Sequence, residues 1–298
     1  MMRVVIDSNR MRKPELLAYL MLSPDHKAVI SDYSAIESYK AESVRSVIEH
    51  FKIVSSFPKQ IIILKGTHEV GSLDPRSGPM AERMIDLGQT AQFPTFSLAM
   101  AMAYDGDPLV IEQIRERRNW ALDQLNSMVD RVDGREVMAI IRRVFTTDQW
   151  KTFARGESFT PKMQGLLHAA ILLTAEAFAE GHPIGMELPD APDLHQHFVF
   201  RLAVCHVIHL MNLAGTGAVT RNAKQALNDR VDVFHATYAT YFNGLMTSDE
   251  RAGQTHNHAR AALRSLGVTL PEDYADNMQR AVVALINEQR AKAGKPPL

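Results

Sequence analysis

Cysteine is nearly absent. Cys205 is the only one in 298 residues, so no internal disulfide is available and a reducing compartment, the cytoplasm, is expected. No stretch reaches the roughly 18 uninterrupted apolar residues that a membrane-spanning helix needs. The N-terminus reads as a strand instead of a charged segment followed by an apolar one, so neither a membrane partner nor a signal peptide is expected. Excess charge is missing too: the formal net charge is −1, which excludes a basic coat for polyanions and leaves only local patches. There is no GxGxxG, no P-loop and no GxSxG, which argues against a nucleotide cofactor and a serine nucleophile. Internal repeats and low-complexity segments are absent.

What is present is a rhythm that changes twice. Residues 3–6, 27–31 and 60–64 are short apolar runs that read as strands, separated by helical patterns at 14–22 and 35–51. Strands this apolar predict a parallel sheet covered on both faces. From residue 67 to 220 the β-branched runs vanish. Helical patterns over 96–104, 108–129, 134–144, 163–180 and 194–213 follow a Gly/Pro/Asp loop at 71–79. The α/β rhythm returns from 221, with a helix over 223–242, a strand at 244–247, a helix over 250–266, a last strand at 268–270 and a terminal helix over 272–292. The expected architecture is α/β: a discontinuous domain of residues 1–66 and 221–298 with a central, mainly parallel sheet, and an all-helical insertion, 67–220, whose apolar faces would pack on the sheet or form a homodimer.

Four acids fall where strands hand over to helices: Asp7, Glu37, Asp232 and Asp249. Ligands bind beside the carboxyl ends of parallel strands in open α/β sheets, and a gathering of carboxylates there makes a hard oxygen site suited to Mg²⁺ or Mn²⁺. Each acid also has a purely structural explanation. Asp7 can close an Asx-turn, Ser34 to Glu37 fits a capping box, Asp232 can sit at the start of a helix, and Asp249 can be an N-cap. Their common edge is what favours a site. Ser8, Asn9, Thr247 and Ser248 are candidates for orienting ligands and water, and Asp229, one turn before Asp232, for a fifth acid. Arg10, Arg12, Lys13, Lys40 and Lys65 are candidate phosphate contacts.

Competing constellations are weaker. His206 and His209 share a helix face near His195 and His197, but no cysteine pair or HExxH accompanies them, so core histidines are the expected reading over zinc. His256 and His258 read as solvated, and Cys205 as a packed thiol.

The run Val4-Val5-Ile6-Asp7-Ser8-Asn9 resembles the opening strand of PIN-domain nucleases, whose first metal-binding acid ends that strand. Val29 to Glu37 is similar to that family's second strand and the helix carrying its glutamate. Asp232 through Thr247-Ser248-Asp249, and the closing Gly267 to Pro271, resemble its later acids and final strand. The resemblance covers about half the chain and departs from compact members in the long segment between Glu37 and Asp232. It implies a three-layer PIN-like fold and a metal-dependent endonuclease whose catalytic ligands are Asp7, Glu37, Asp232 and Asp249. RNA would be the substrate before DNA, and an inhibitory protein is a conceivable partner. A nuclease-like scaffold that binds nucleic acid or protein through the helical segment without cutting is the alternative.

Overall fold

A computed structural model describes residues 1–129, 143–154, 160–182, 186–215 and 222–276. Its centre is a four-stranded, all-parallel sheet in the order β3-β2-β1-β4, built from β1 (Met2–Ile6), β2 (His26–Ile30), β3 (Ile61–Ile63) and β4 (Leu245–Met246). The apolar strand ends are buried because both faces are covered. Val4 and Ile6 point into a core with α1 (Pro14–Leu22), α3 (Val44–Ser56) and α6 (Leu87–Tyr104). Val5, Val29, Ile62 and Leu245 point the other way, against Phe234 and Tyr238 of α11 (Ala223–Ala239). Alternation along each strand thus divides one apolar run between two cores.

A third core lies behind α11. There Val233 and Ala236 meet α9 (Pro161–Glu180), α10 (Phe198–Gly215) and α12 (Glu250–Ser265). Helix α11 is therefore packed on two sides, which explains its nearly unbroken burial from Val233 to Tyr241. Between β3 and α11 the chain also forms α4 (Thr67–Gly71), α5 (Met80–Arg83), α7 (Pro108–Val129) and α8 (Thr147–Ala154). Among the described residues of 67–220 there is no named strand; Ile85 makes a single antiparallel bridge to Leu64. These helices share cores with the sheet layers: Phe93, Met100 and Ile114 pack with β1 and β2, and α7 lies against α2 (Asp32–Tyr39).

The structure departs from the sequence expectations in several places. The single helix expected over 35–51 is two helices, because the Ser43 side chain accepts from Ser46 N at 3.1 Å and starts α3 anew. The pattern over 194–213 divides into a 3₁₀ turn, Asp193–Gln196, and α10. Residues 268–270 pair with no strand. Gly267, at φ 79°, and Val268 instead end α12: Gly267 N donates to Arg264 O and Val268 N to Leu263 O, at 3.0 Å each. This is a Schellman motif, and the apolar character of Val268 serves its contact with Leu263 in the third core. The helices expected over 134–144 and 272–292 fall largely outside the described residues.

The topology positions a site. Helix α1 leaves β1 toward one face of the sheet, whereas α12 leaves the adjacent β4 toward the other, where its Ala252 packs. Neighbouring strands whose connections depart to opposite faces open a crevice at their carboxyl ends.

Candidate metal centre

Asp7 is the first residue beyond β1 and is only 3% exposed. Its Oδ1 accepts from Asn9 N at 3.3 Å, so the Asx-turn expected on structural grounds is present, capping the 3₁₀ turn Ser8–Arg10. Its Oδ2 accepts from Asn9 Nδ2 and from Thr247 Oγ1, both at 2.6 Å. Thr247 lies just past β4; its hydroxyl oxygen also accepts from Asp249 N at 2.9 Å, and Ser248 N donates to Asn9 Oδ1 at 3.0 Å. The two strand ends are thereby laced together. Asp249 does act as an N-cap, its Oδ1 accepting from Arg251 N and Ala252 N at 2.7 and 3.0 Å.

Glu37 is not part of a capping box. Ser31 is the N-cap of α2, and Glu37 lies within the helix, where it accepts from Ser8 Oγ at 2.8 Å and from Lys40 Nζ at 2.7 Å. Burial pushes its carboxyl up, but the charges of Lys40 and His235 and the bonds from Lys40 and Ser8 outweigh this and hold it below the usual range.

Asp232 does not open its helix. It sits in the middle of α11, so a helix-dipole role does not apply. Its carboxyl is pushed up to about 9, first by burial and then by the charges of Asp249, Asp7, Glu37 and Asp229. Among the described residues, of these acids only Asp7 falls with Asp232 into a group within ligand reach; Glu37, Asp229 and Asp249 act on it as nearby charges. Asp229 also lies 3.7 Å, through Oδ1, from the buried Nε2 of His209.

His235 belongs to the same group, although the sequence reading passed over it. Its side chain is fully buried, with Nε2 3.1 Å from Ser34 Oγ and Nδ1 3.8 Å from Asp7 Oδ1. One ligand atom each from Asp7, Asp232 and His235 lie within 4.8 Å of one another; among the described residues no other group of three His, Cys, Asp or Glu does so. The available signal was the spacing: Asp229, Asp232 and His235 recur every three residues, so each neighbouring pair shares a helix face.

The basic candidates are divided. Lys40 is at the site through Glu37. Arg10 lines a cleft of about 320 Å³ beside Thr247, Ser248, Asp249 and Asn257, and its Nη1 donates to Glu15 Oε1 at 2.9 Å. Arg12 and Lys13 are exposed. Lys65 leaves β3, two strands from β1 at the far edge, and pairs with Glu69 at 2.6 Å. The sheet order takes it away from the acids, at about 4.8 Å per strand.

His206 stacks edge-on against Phe178, and burial pushes its pKa down to about 3. The Nδ1 of His209 lies 3.1 Å from Thr255 Oγ1. His256, expected to be solvated, is buried next to Asp273, and burial pushes it down to about 4 against the pull of that carboxylate. The Cys205 thiol is packed away, pushed up to about 12 by burial. Among the described residues no helix is long and apolar enough to cross a membrane.

The fold and site define an α/β protein with a parallel sheet and a buried acid and histidine cluster at its switch point. No family model, no curated protein and no solved structure matches the chain.

Proposed function

We propose that this protein is a divalent-metal-dependent endonuclease with a three-layer PIN-like core, hydrolysing phosphodiester bonds in RNA in preference to DNA. The observation that carries the reading is the environment of Asp232, a largely buried carboxyl grouped within 4.8 Å with ligand atoms of Asp7 and His235, on which Asp7, Glu37, Asp229 and Asp249 press by charge. Carboxylates so crowded repel one another, and a bound divalent cation is the natural relief. Carboxylate oxygens fit Mg²⁺ or Mn²⁺.

Asp7, Glu37, Asp232 and Asp249 would hold the ion, which when bound supplies Lewis-acid stabilisation of charge on the phosphoryl oxygens. The protein's own contribution is orientation. Asn9 and Thr247 both donate to Oδ2 of Asp7 and orient that carboxylate, and Ser8 donates to Glu37. Arg10, in the wall of the neighbouring cleft, would meet a phosphate of a strand running past Asp249. Lys40 balances the charge of Glu37.

The test is incubation of the purified protein with labelled single-stranded RNA and DNA in Mn²⁺ or Mg²⁺, with EDTA and Asp232→Asn as controls. Metal-dependent internal cleavage, abolished by both controls, is expected. Binding of nucleic acid without cleavage would favour a silent PIN-like scaffold, and neither binding nor cleavage would end the reading.

A further inference from the structure

The hydrogen bonds around His235 determine its tautomer. Ser34 Oγ has one proton, and it donates that proton to the carbonyl of Ile6 at 2.7 Å, an acceptor that has none to give. Ser34 Oγ also lies 3.0 Å from Ser31 Oγ and 3.1 Å from His235 Nε2. With its proton committed, Ser34 Oγ can only accept from both. Nε2 therefore carries a proton whatever the charge of the ring, and in the neutral tautomer the lone pair falls on Nδ1. That atom is buried, has no hydrogen-bond partner among the described residues, and faces Asp7 Oδ1 at 3.8 Å. A buried nitrogen facing a carboxylate at that distance calls for a cation between them, either a proton on the ring or, in its place, a metal ion.

We propose that His235 Nδ1 is a nitrogen ligand of the metal centre, together with Asp7 and Asp232, and that it makes the site select Mn²⁺ and other first-row transition ions over Mg²⁺. This rests on the metal-dependent reading above. Ligand atoms of an ion at about 2.1 Å lie about 3.0 Å apart when adjacent and about 4.2 Å when opposite; the 3.8 Å between His235 Nδ1 and Asp7 Oδ1 falls in that range, and the grouping within 4.8 Å closes on an ion by side-chain movements of about 1–2 Å. Ser34 is the positioning residue: it anchors the far ring nitrogen, as partners of ligating histidines do. Imidazole suits transition ions, whereas Mg²⁺ is an oxygen-seeking ion that keeps its waters. Sequence spacing had suggested an all-carboxylate site, with no preference between the two.

Electron spin-echo envelope modulation of Mn²⁺ bound to the full chain reads nitrogen coordination directly. The expected result is a ¹⁴N modulation in the wild type that is absent in His235→Gln, and Mn²⁺ affinity at least about tenfold above that for Mg²⁺ by calorimetry. Ser34→Ala should weaken Mn²⁺ binding by about 10–100-fold while leaving the ¹⁴N signal at saturation. Because His235 is buried, the wild-type spectrum alone decides if the Gln variant does not fold. Bound Mn²⁺ without ¹⁴N modulation would overturn the histidine ligand and leave the acid site standing. Failure of the wild type to bind Mn²⁺ at all would overturn the metal centre itself.

Discussion

Thr247 and Asp7 are joined by a 2.6 Å hydrogen bond from the threonine hydroxyl to the carboxylate Oδ2, across 240 residues of sequence. The bond ties the ends of β1 and β4 together beside the cleft and gives the buried Asp7 carboxylate a donor. A hydrogen bond to a charged group contributes about 1.5–3 kcal/mol. Thr247→Val keeps the shape and removes the donor, and it also takes away the acceptor for Asp249 N. We expect a loss of about 1–3 kcal/mol in urea unfolding with an unchanged m-value; a change below about 0.5 kcal/mol would contradict the bond's role.

Asp7→Asn should leave the fold intact and remove most metal-dependent cleavage. The amide oxygen can still accept from Asn9 N in the turn, whereas the ligand charge is gone. Loss of activity should exceed the roughly 10–100-fold typical of residues that merely support a ligand, with the circular dichroism spectrum unchanged. Cleavage at the wild-type rate would remove Asp7 from the site.

The proton held by Asp232 predicts a pH dependence. Its folded-state pKa of about 9 lies above the ordinary 3.8, so between those values the folded chain binds a proton that the unfolded chain has released. The contribution is therefore fully present below about pH 4 and declines as pH rises toward 9. Glu37 has the opposite sign, since its lowered pKa adds stability that is lost as the medium becomes acidic. Thermal melts in EDTA from pH 5 to 9 should show a falling limb in the wild type that Asp232→Asn flattens. Added Mn²⁺ should raise the melting temperature most at the alkaline end and release protons on binding, measurable by calorimetry in buffers of different ionisation enthalpy. Identical pH profiles for the wild type and Asp232→Asn would sink this assignment.

Gly244 turns the chain into β4 at φ 112°, and a Cβ there would stand 2.7 Å from Asp273 Oδ1. Its carbonyl accepts from Val5 N at 3.0 Å, so it also sets the register that carries Thr247 to Asp7. Gly244→Ala should destabilise by about 1–3 kcal/mol through backbone strain and the clash together. A melting temperature equal to the wild type would show that the turn relaxes freely.

Short-range chemistry made part of this protein legible in its sequence. The strand β1 and the acid that ends it were readable because an unbroken apolar run followed by Asp-Ser-Asn carries its own turn signal. The N-cap at Asp249 was readable for the same reason. Spacing within α11 carried the His235 signal, but only the distance to Asp7 gives it meaning, and that distance depends on β1 pairing with β4. Val268 shows the reverse: its β-branched run reads as a strand, yet Gly267 at positive φ and the Leu263 carbonyl turn it into the end of a helix. Lys65 ends a strand much as Asp7 does, yet the sheet order β3-β2-β1-β4 carries it to the far edge. Periodicity and caps are local energies and are written in neighbouring residues. Strand order, the burial of His235 and the crowding around Asp232 are set by contacts hundreds of residues apart, and only the packed chain decides them.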